Sequence, residues 1–471
     1  MQPTIPFASH LLQDMVGTAE MRAMWVERNL IDQWIRVERA ITECQAELGM
    51  IPAEAAETIL CCLSSEVITA ELIATKKTEV GHLLVAFLHA FREVCGPAGE
   101  HFHLGPTTQD ILDTGLTLQM CESHLWTQRS ALELEEVLCD QALRYRDTVM
   151  MGRTHQQHAV PTTLGFLLAG WAAEIRDHIE RAREAERRWQ VASLTGATGA
   201  HNAFVELAGE EAALRLQDQV AKRLGLAVPD ISPHPRLDRF AEVTGHLADL
   251  CSTLAKIGLD LRALQRTEVG ELAEPYHQDQ HWSSTMPNKK NPEIAEQVDG
   301  LARICSALAT AMREVRMADI RDATRLPVEF VSIPQCYLVT SRALASTLRN
   351  IRGLVVDAEQ MRRNLAHPNA LGEAAAERIM IELYKRTGRK QEAHSRLHRC
   401  MQRARAEKRP LRAVVLEDDE LGAILQPRDL DRLCDLTSYT GTAAQQTTRT
   451  LDRLRERRDD DLRRYREGTT D

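Results

Sequence analysis

Seven apolar residues, Val243, Leu247, Leu250, Leu254, Ile257, Leu261 and Leu264, recur at alternating intervals of four and three in a stretch without proline. Ile294, Val298, Leu301, Cys305, Leu308, Met312 and Val315 repeat that spacing. Such a period gathers the apolar groups into one stripe of a helix, and sustained heptads pack helix along helix at a shallow crossing angle. Leu164, Leu168, Trp171, Ile175 and Ile179 form a looser third stripe. Prolines, rarely tolerated inside helices, are absent between 106 and 161, 161 and 229, 235 and 275, and 292 and 327. Each gap is longer than the mean helix of roughly 11–12 residues. The chain therefore reads as all-α, a long-helix bundle whose stripes are core rather than a cofactor box. Apolar faces left over would suit an oligomer of bundles.

Composition agrees. Phe, Trp and Tyr number 8, 6 and 6 in 471 residues, too few for a sandwich or barrel rich in aromatic strands. With 58 Lys+Arg against 68 Asp+Glu, the net charge of −10 argues against a nucleic-acid partner. The basic residues interleave with acids, as in RDHIERAREAERRWQ, which is the pattern of a solvated helix face. No apolar run reaches the roughly 20 residues that span a bilayer, so no membrane role is expected. The N-terminus lacks the regions of a signal peptide, and eleven cysteines occur without a CxxC pair, so a cytoplasmic, reducing location is expected. Adjacent Cys61 and Cys62 read as buried helix residues.

Four polar segments interrupt the helical texture: 101–115, 152–165, 195–204 and 268–293. Ser, Thr, Gln, His, Lys and Asn concentrate there, at helix ends whose N–H groups favour anions. His101 and His103, and His155 and His158, have no HExxH or Cys/His quartet beside them, so no metal is expected. A GxSxG elbow and a nucleotide-binding glycine loop are absent too. TGATGA (195–200) reads as a close-packed turn lining a site.

Residues 283–292, SSTMPNKKNP, closely resemble the GSSxMPxKxNP signature of the aspartase/fumarase superfamily. HLGPTTQDILDT (103–114) is similar to the family's HxGxTSQDIxDT loop, and GRTHQQHAVPTTLG (152–165) to GRTHGQHAxPxTxG. TEVGHLLVAF (78–87) carries the family's Glu-x-x-His-x-x-x-Ala-Phe, and LQRTEVGELAEP (264–275) resembles the strand-free run before the signature. Together these place the chain in the adenylosuccinate lyase and 3-carboxy-cis,cis-muconate cycloisomerase branch. The resemblance implies three helical domains, 1–105, 106–355 and 356–471, tetramerising through the central bundle. It also implies cofactor-free β-elimination from a small dicarboxylate, in sites shared between subunits of a homotetramer. Ser283 would be the base that removes a proton next to a carboxylate. Lys289 and Asn291 would hold the aci-carboxylate dianion, and His155 would protonate or bind the leaving group. His103, Thr107, Thr108, Gln109, Arg153, Thr154, Ser284, Met286 and Arg321 match substrate-binding positions, and His82 a supporting histidine.

Departures from the pattern narrow the substrate. Adenylosuccinate lyases place an Arg-Tyr pair, which binds the nucleotide phosphate, where Met15-Val16 stand before TAEMRAMW. The family's HERDxxHSxxERxxLP aligns with DIRDATRLPVEFVSIP (319–334): Arg321, Asp322 and Glu329 are kept, Phe330 replaces the second Arg, and Asp319-Ile320 the His-Glu pair. Carboxymuconate cycloisomerases carry Trp where His155 stands, and the signature's leading Gly is Trp282. The expected reaction is C–N cleavage of a small C2-substituted succinate with release of fumarate, nitrosuccinate fitting best. Adenylosuccinate lyase, a carboxymuconate-type cycloisomerase and a non-catalytic lyase-derived scaffold are the alternatives.

Overall fold

The computed structural model describes residues 6–276, 285–286, 288–315, 322–369 and 372–467. Its elements, in chain order, include α1 (Glu27–Glu47), α2 (Leu83–Cys95), α3 (Thr108–Arg144), β1 (Val149–Thr154), β2 (Gln157–Thr163) and α4 (Leu164–Trp189). There follow α5 (Asp238–Gln265), β3 (Leu272–Ala273), α6 (Glu293–Glu314), α7 (Arg325–Arg352), β4 (Val355–Val356) and the C-terminal α8 (Ala443–Glu467). Shorter helices fill most of the remainder. The fold is all-α, a long-helix bundle with two small antiparallel ribbons, β1–β2 and β3–β4. The run 264–275 is therefore not strand-free: Leu272 and Ala273 pair with Val356 and Val355.

The chain forms two compact units. One comprises Met1–Ser130, His178–Leu254 and Gln297–Ala345; the other Ala131–Asp177, Ala255–Glu296 and Ser346–Asp471. Each boundary falls inside one of the five helices α3 to α7.

All seven residues of the first stripe are buried, as are Leu164, Leu168, Trp171, Ile175 and Ile179. In the second stripe, Leu308 and Val315 are only half-buried, and Val315 lies just past the end of α6. Helix α3 is buried continuously from 110 to 120, so it also buries Asp110, Asp113, Thr114, Thr117 and Gln119. A helix enclosed on all sides must satisfy those polar groups internally. Proline spacing misjudged α7. It accepts Pro327 in its first turn, where the missing N–H has no helical partner, and Pro334 in its interior.

In the first unit the scarce aromatics gather in the core, with Trp34 edge-on to Phe87 (5.7 Å) and Phe91 stacked on Phe102 (3.8 Å). The second unit's core joins Met151 of β1 to Leu365, Leu411 and Val415. There, fully buried Arg176 on α4 pairs with Glu135 on α3 and Asp461 on α8. Cys61 is exposed and Cys62 half-buried at the end of their helix, correcting the expectation that both are buried. No helix among the described residues is long and apolar enough to cross a membrane.

Candidate active site

In the first unit, the segment 103–110 leads into α3. Gly105, at φ 98°, bends the chain where a Cβ would fall 2.6 Å from the Phe204 ring. Asp110, in the first turn, turns back to accept the Thr107 N–H (2.9 Å), one arm of a capping box. It also accepts the N–H groups of Thr195 (2.9 Å) and Gly196 (3.1 Å), so TGATGA is docked against the start of α3. Thr107, Thr108 and Gln109 are half-buried there. Gln109 donates its amide to Asp113 (2.6 Å). His103 adopts φ 55°, uncommon for a side-chain-bearing residue, and its Nδ1 lies 2.6 Å from fully buried Glu38. Burial works against its charged form, but Glu38 and, further off, Asp110 outweigh that and raise its pKa. Exposed His82 accepts the Val85 N–H (3.4 Å) as the N-cap of α2.

In the second unit, β1 and β2 form a hairpin closed by two residues, His155 (φ 52°) and Gln156 (φ 60°). Two positive φ values in a two-residue loop are the pattern of a type I′ turn, which ordinarily selects Asn-Gly. Here the turn holds His155 at an exposed tip beside Thr154. Gly152 marks the bulge behind it, where a Cβ would meet the Val160 carbonyl oxygen at 2.3 Å. Arg153 forks onto fully buried Glu271 (2.8 and 2.7 Å), and Asn364 donates to the same carboxylate (2.7 Å). Its charge is thus spent on anchoring the hairpin. A groove of about 830 Å³ runs beside the hairpin, lined by Arg153, Gln156, His158, Phe166, Lys256 and Arg266 among others.

The described part of the signature also lies in this unit. Met286 and Lys289 are exposed, with a turn bond from the Lys289 N–H to the Met286 carbonyl (3.1 Å), and Asn291 is half-buried before α6. Lys290 sits over the Tyr276 ring at 4.6 Å. Buried Glu274 accepts the N–H groups of Ile294 (3.1 Å) and Ala295 (2.7 Å), so the anion-attracting start of α6 already holds a carboxylate. Ser283, Ser284 and Arg321 lie outside the described residues, as do Trp282, Asp319 and Ile320. His82, His103, Thr107, Thr108 and Gln109 thus belong to the first unit, and Arg153, Thr154, His155, Met286, Lys289 and Asn291 to the second.

Two family models match the chain, one described as lyase over residues 15–305 and one as adenylosuccinate lyase C-terminus over 372–450. The chain belongs to the aspartase/fumarase superfamily of lyases. Within this enzyme superfamily it is 39% identical to adenylosuccinate lyase of Methanocaldococcus jannaschii, covering 93% of this chain and 94% of that one. It is 34% identical to N-acetyl-S-(2-succino)cysteine lyase of Dickeya dadantii, over 98% and 99% of the two chains. The structure of 3-carboxy-cis,cis-muconate lactonizing enzyme from Pseudomonas putida superposes with a TM-score of 0.84, at 31% identity over 95% and 99%. These three relatives span the branch that the motifs indicate.

What sequence reasoning missed in this lyase is the acidic support: Glu38 behind His103, Glu271 behind Arg153 and Glu274 at α6. Asp110 and Asp113 were visible inside QDILD, but their partner His234 carried no sequence signal.

Proposed function

We propose that the chain eliminates a substituent from C2 of a small substituted succinate and releases fumarate, nitrosuccinate being the substrate that fits best. Ser283 takes the C3 proton, and the electron pair enters the adjacent carboxylate as a dianion held by Lys289 and Asn291. That pair then forms the C2=C3 bond as the substituent leaves with its own bonding electrons. Nitrite departs as a stable anion, so His155 would bind it; a worse leaving group would need its proton. The homotetramer, with each site drawing loops from several subunits, is part of this proposal, and a solution mass near the 53.0 kDa of one chain would contradict it.

The observation that carries the reading is the apolar character of the positions where the branch binds a nucleotide phosphate. Met15 and Phe330 are exposed and Val16 is half-buried. The Arg325 guanidinium, five residues before Phe330, is buried and engaged by Asp113 and Glu329 (2.7 Å each). None of these offers a phosphate a cation. A second reading, a thioether of succinate, is favoured by the 34% identity to the succinocysteine lyase along 98% of the chain. The test is to incubate the purified protein with nitrosuccinate, N-acetyl-S-(2-succino)cysteine, argininosuccinate, aspartate and adenylosuccinate, following fumarate by ultraviolet absorbance. Rapid turnover of adenylosuccinate would sink the argument from Met15, Val16 and Phe330. Turnover of none would favour the scaffold.

A further inference from the structure

Four segments of the first unit, 110–113, 193–196, 234–239 and 325–329, meet in one buried polar cluster around His234. His234, in the irregular stretch before α5, is fully buried. Its Nε2 lies 3.0 Å from Asp110 Oδ1, and its Nδ1 lies 3.3 Å from Asp113 Oδ2 and 3.2 Å from Ser193 Oγ. Ionised carboxylates only accept hydrogen bonds, so the protonated ring satisfies one at each nitrogen; burial works against that charged form, but Asp110 and Asp113 outweigh it and raise the His234 pKa. Around it, Asp110 and Asp113 lie among His234, Arg239 and Arg325, and Glu329, whose pKa burial raises, accepts a hydrogen bond from Arg325. Arg325 donates to Asp113 (2.7 Å), to Glu329 (2.7 Å) and to the His234 carbonyl (2.9 Å), while Arg239 reaches Asp113 at 3.4 Å.

The remaining lone pairs of the two aspartates hold the segment of α3 assigned to substrate. Asp110 binds the Thr107, Thr195 and Gly196 N–H groups, and Asp113 Oδ1 binds the Gln109 amide at 2.6 Å. A Gln109 flip would turn its carbonyl onto a carboxylate, so its orientation is set by where Asp113 stands. Burial favours the neutral acid at Asp113, yet Arg325, His234 and Arg239 outweigh it and hold the carboxyl well below its ordinary range.

We infer that His234 is a positioning residue: by bridging Asp110 and Asp113 it fixes Thr107, Gln109 and the 195–196 turn in the geometry that receives the dicarboxylate. The inference rests on the proposed function, in which residues 107–109 contact substrate. A link of this kind acts through its neighbours, so its effect should depend on Gln109 being present.

The test uses the full-length protein and fumarate, the product common to every leaving group considered, titrated by calorimetry. Wild type, H234Q, Q109A and the double variant form a cycle, with thermal unfolding measured alongside. H234Q should weaken fumarate binding at least tenfold alone and less than threefold in the Q109A background. If H234Q does not fold, S193A, which removes the hydroxyl from Nδ1, takes its place, with a smaller loss that again vanishes beside Q109A. Equal losses in both backgrounds would mean that His234 supports only the fold and would overturn the inference. Unchanged fumarate binding in Q109A would overturn the reading of 107–109 beneath it.

Discussion

The turn that carries His155 can be split into a strain component and a chemical one. His155 and Gln156 both hold positive φ, 52° and 60°. That region costs a side-chain-bearing residue roughly 1–2 kcal/mol, and glycine escapes it at an entropic cost of about 0.5–1 kcal/mol. Gln156→Gly should therefore gain about 0.5–1 kcal/mol. The exposed 3.4 Å contact from Arg266 to Gln156 that it removes is too long to offset much of this. Hydrogen exchange at hairpin amides 149–163 should then slow about two- to fivefold, with fumarate release unchanged. His155→Asn, a better turn residue, should protect the same amides while turnover falls about 10²–10⁴-fold wherever the leaving group needs a proton. Unchanged or faster exchange in Gln156→Gly would refute the strain argument. Full turnover in His155→Asn on every substrate would refute the role of the imidazole.

Glu271→Ala strands the Arg153 guanidinium and should cost about 3–5 kcal/mol, read as a lower midpoint in thermal unfolding; an unchanged midpoint would show the pair is not anchoring the hairpin. Burial, opposed by Arg325, raises the Glu329 pKa from 4.5 to about 7. The folded state therefore keeps a proton that the unfolded chain has released, and this contribution to stability is complete below about pH 4.5 and lost as pH rises through 7. Glu329→Gln should gain on wild type across that window in denaturant titrations at several pH values, and a constant difference would contradict the assignment. Leu254→Ala, at a fully buried stripe position, should lose about 2–5 kcal/mol while far-ultraviolet dichroism stays helical. On the proposed mechanism, Lys289→Met should lower kcat about 10²–10³-fold. Lys290→Met, removing a cation from the Tyr276 ring, should change kcat less than about threefold, and equal losses would undo the distinction.

The long helices were legible because their signal is local. A four-three period needs only neighbouring residues, and Val243 to Leu264 lie buried along α5. The stripe of α6 weakened at Leu308, inside the helix, and at Val315, just past its end. Pro334 showed that punctuation by proline is a tendency that packing can override. The hairpin stayed hidden because its turn is His-Gln instead of the Asn-Gly that would announce it. The polar supports were unreadable for a different reason. Glu38 and His103 are 65 residues apart, Arg153 and Glu271 118, and Asp110 and His234 124. No period or spacing links such pairs, and only the folded chain brings them together.

On the proposed function, that pattern bears on how an acidic protein can receive a dianion. The net charge of −10 makes the protein as a whole repel an anionic substrate, so the site must concentrate positive charge locally. Most obvious cations near the motifs are already matched: His103 by Glu38, Arg153 by Glu271, Arg325 by Asp113, and His234 by Asp110 and Asp113. Matched pairs do little for a substrate's charge, but they hold neighbouring donors in place at no cost when charge develops. The resulting division of labour places orientation in the buried pairs of each unit. On the proposed mechanism, attraction then falls to exposed groups such as Lys289 of the signature, since the Asp110 carboxylate already caps the Thr107 N–H at the start of α3. The start of α6 cannot share that duty, because Glu274 occupies it. A small dicarboxylate needs few such contacts. A nucleotide would need a further cation, and at Met15, Val16 and Phe330 the chain supplies hydrocarbon.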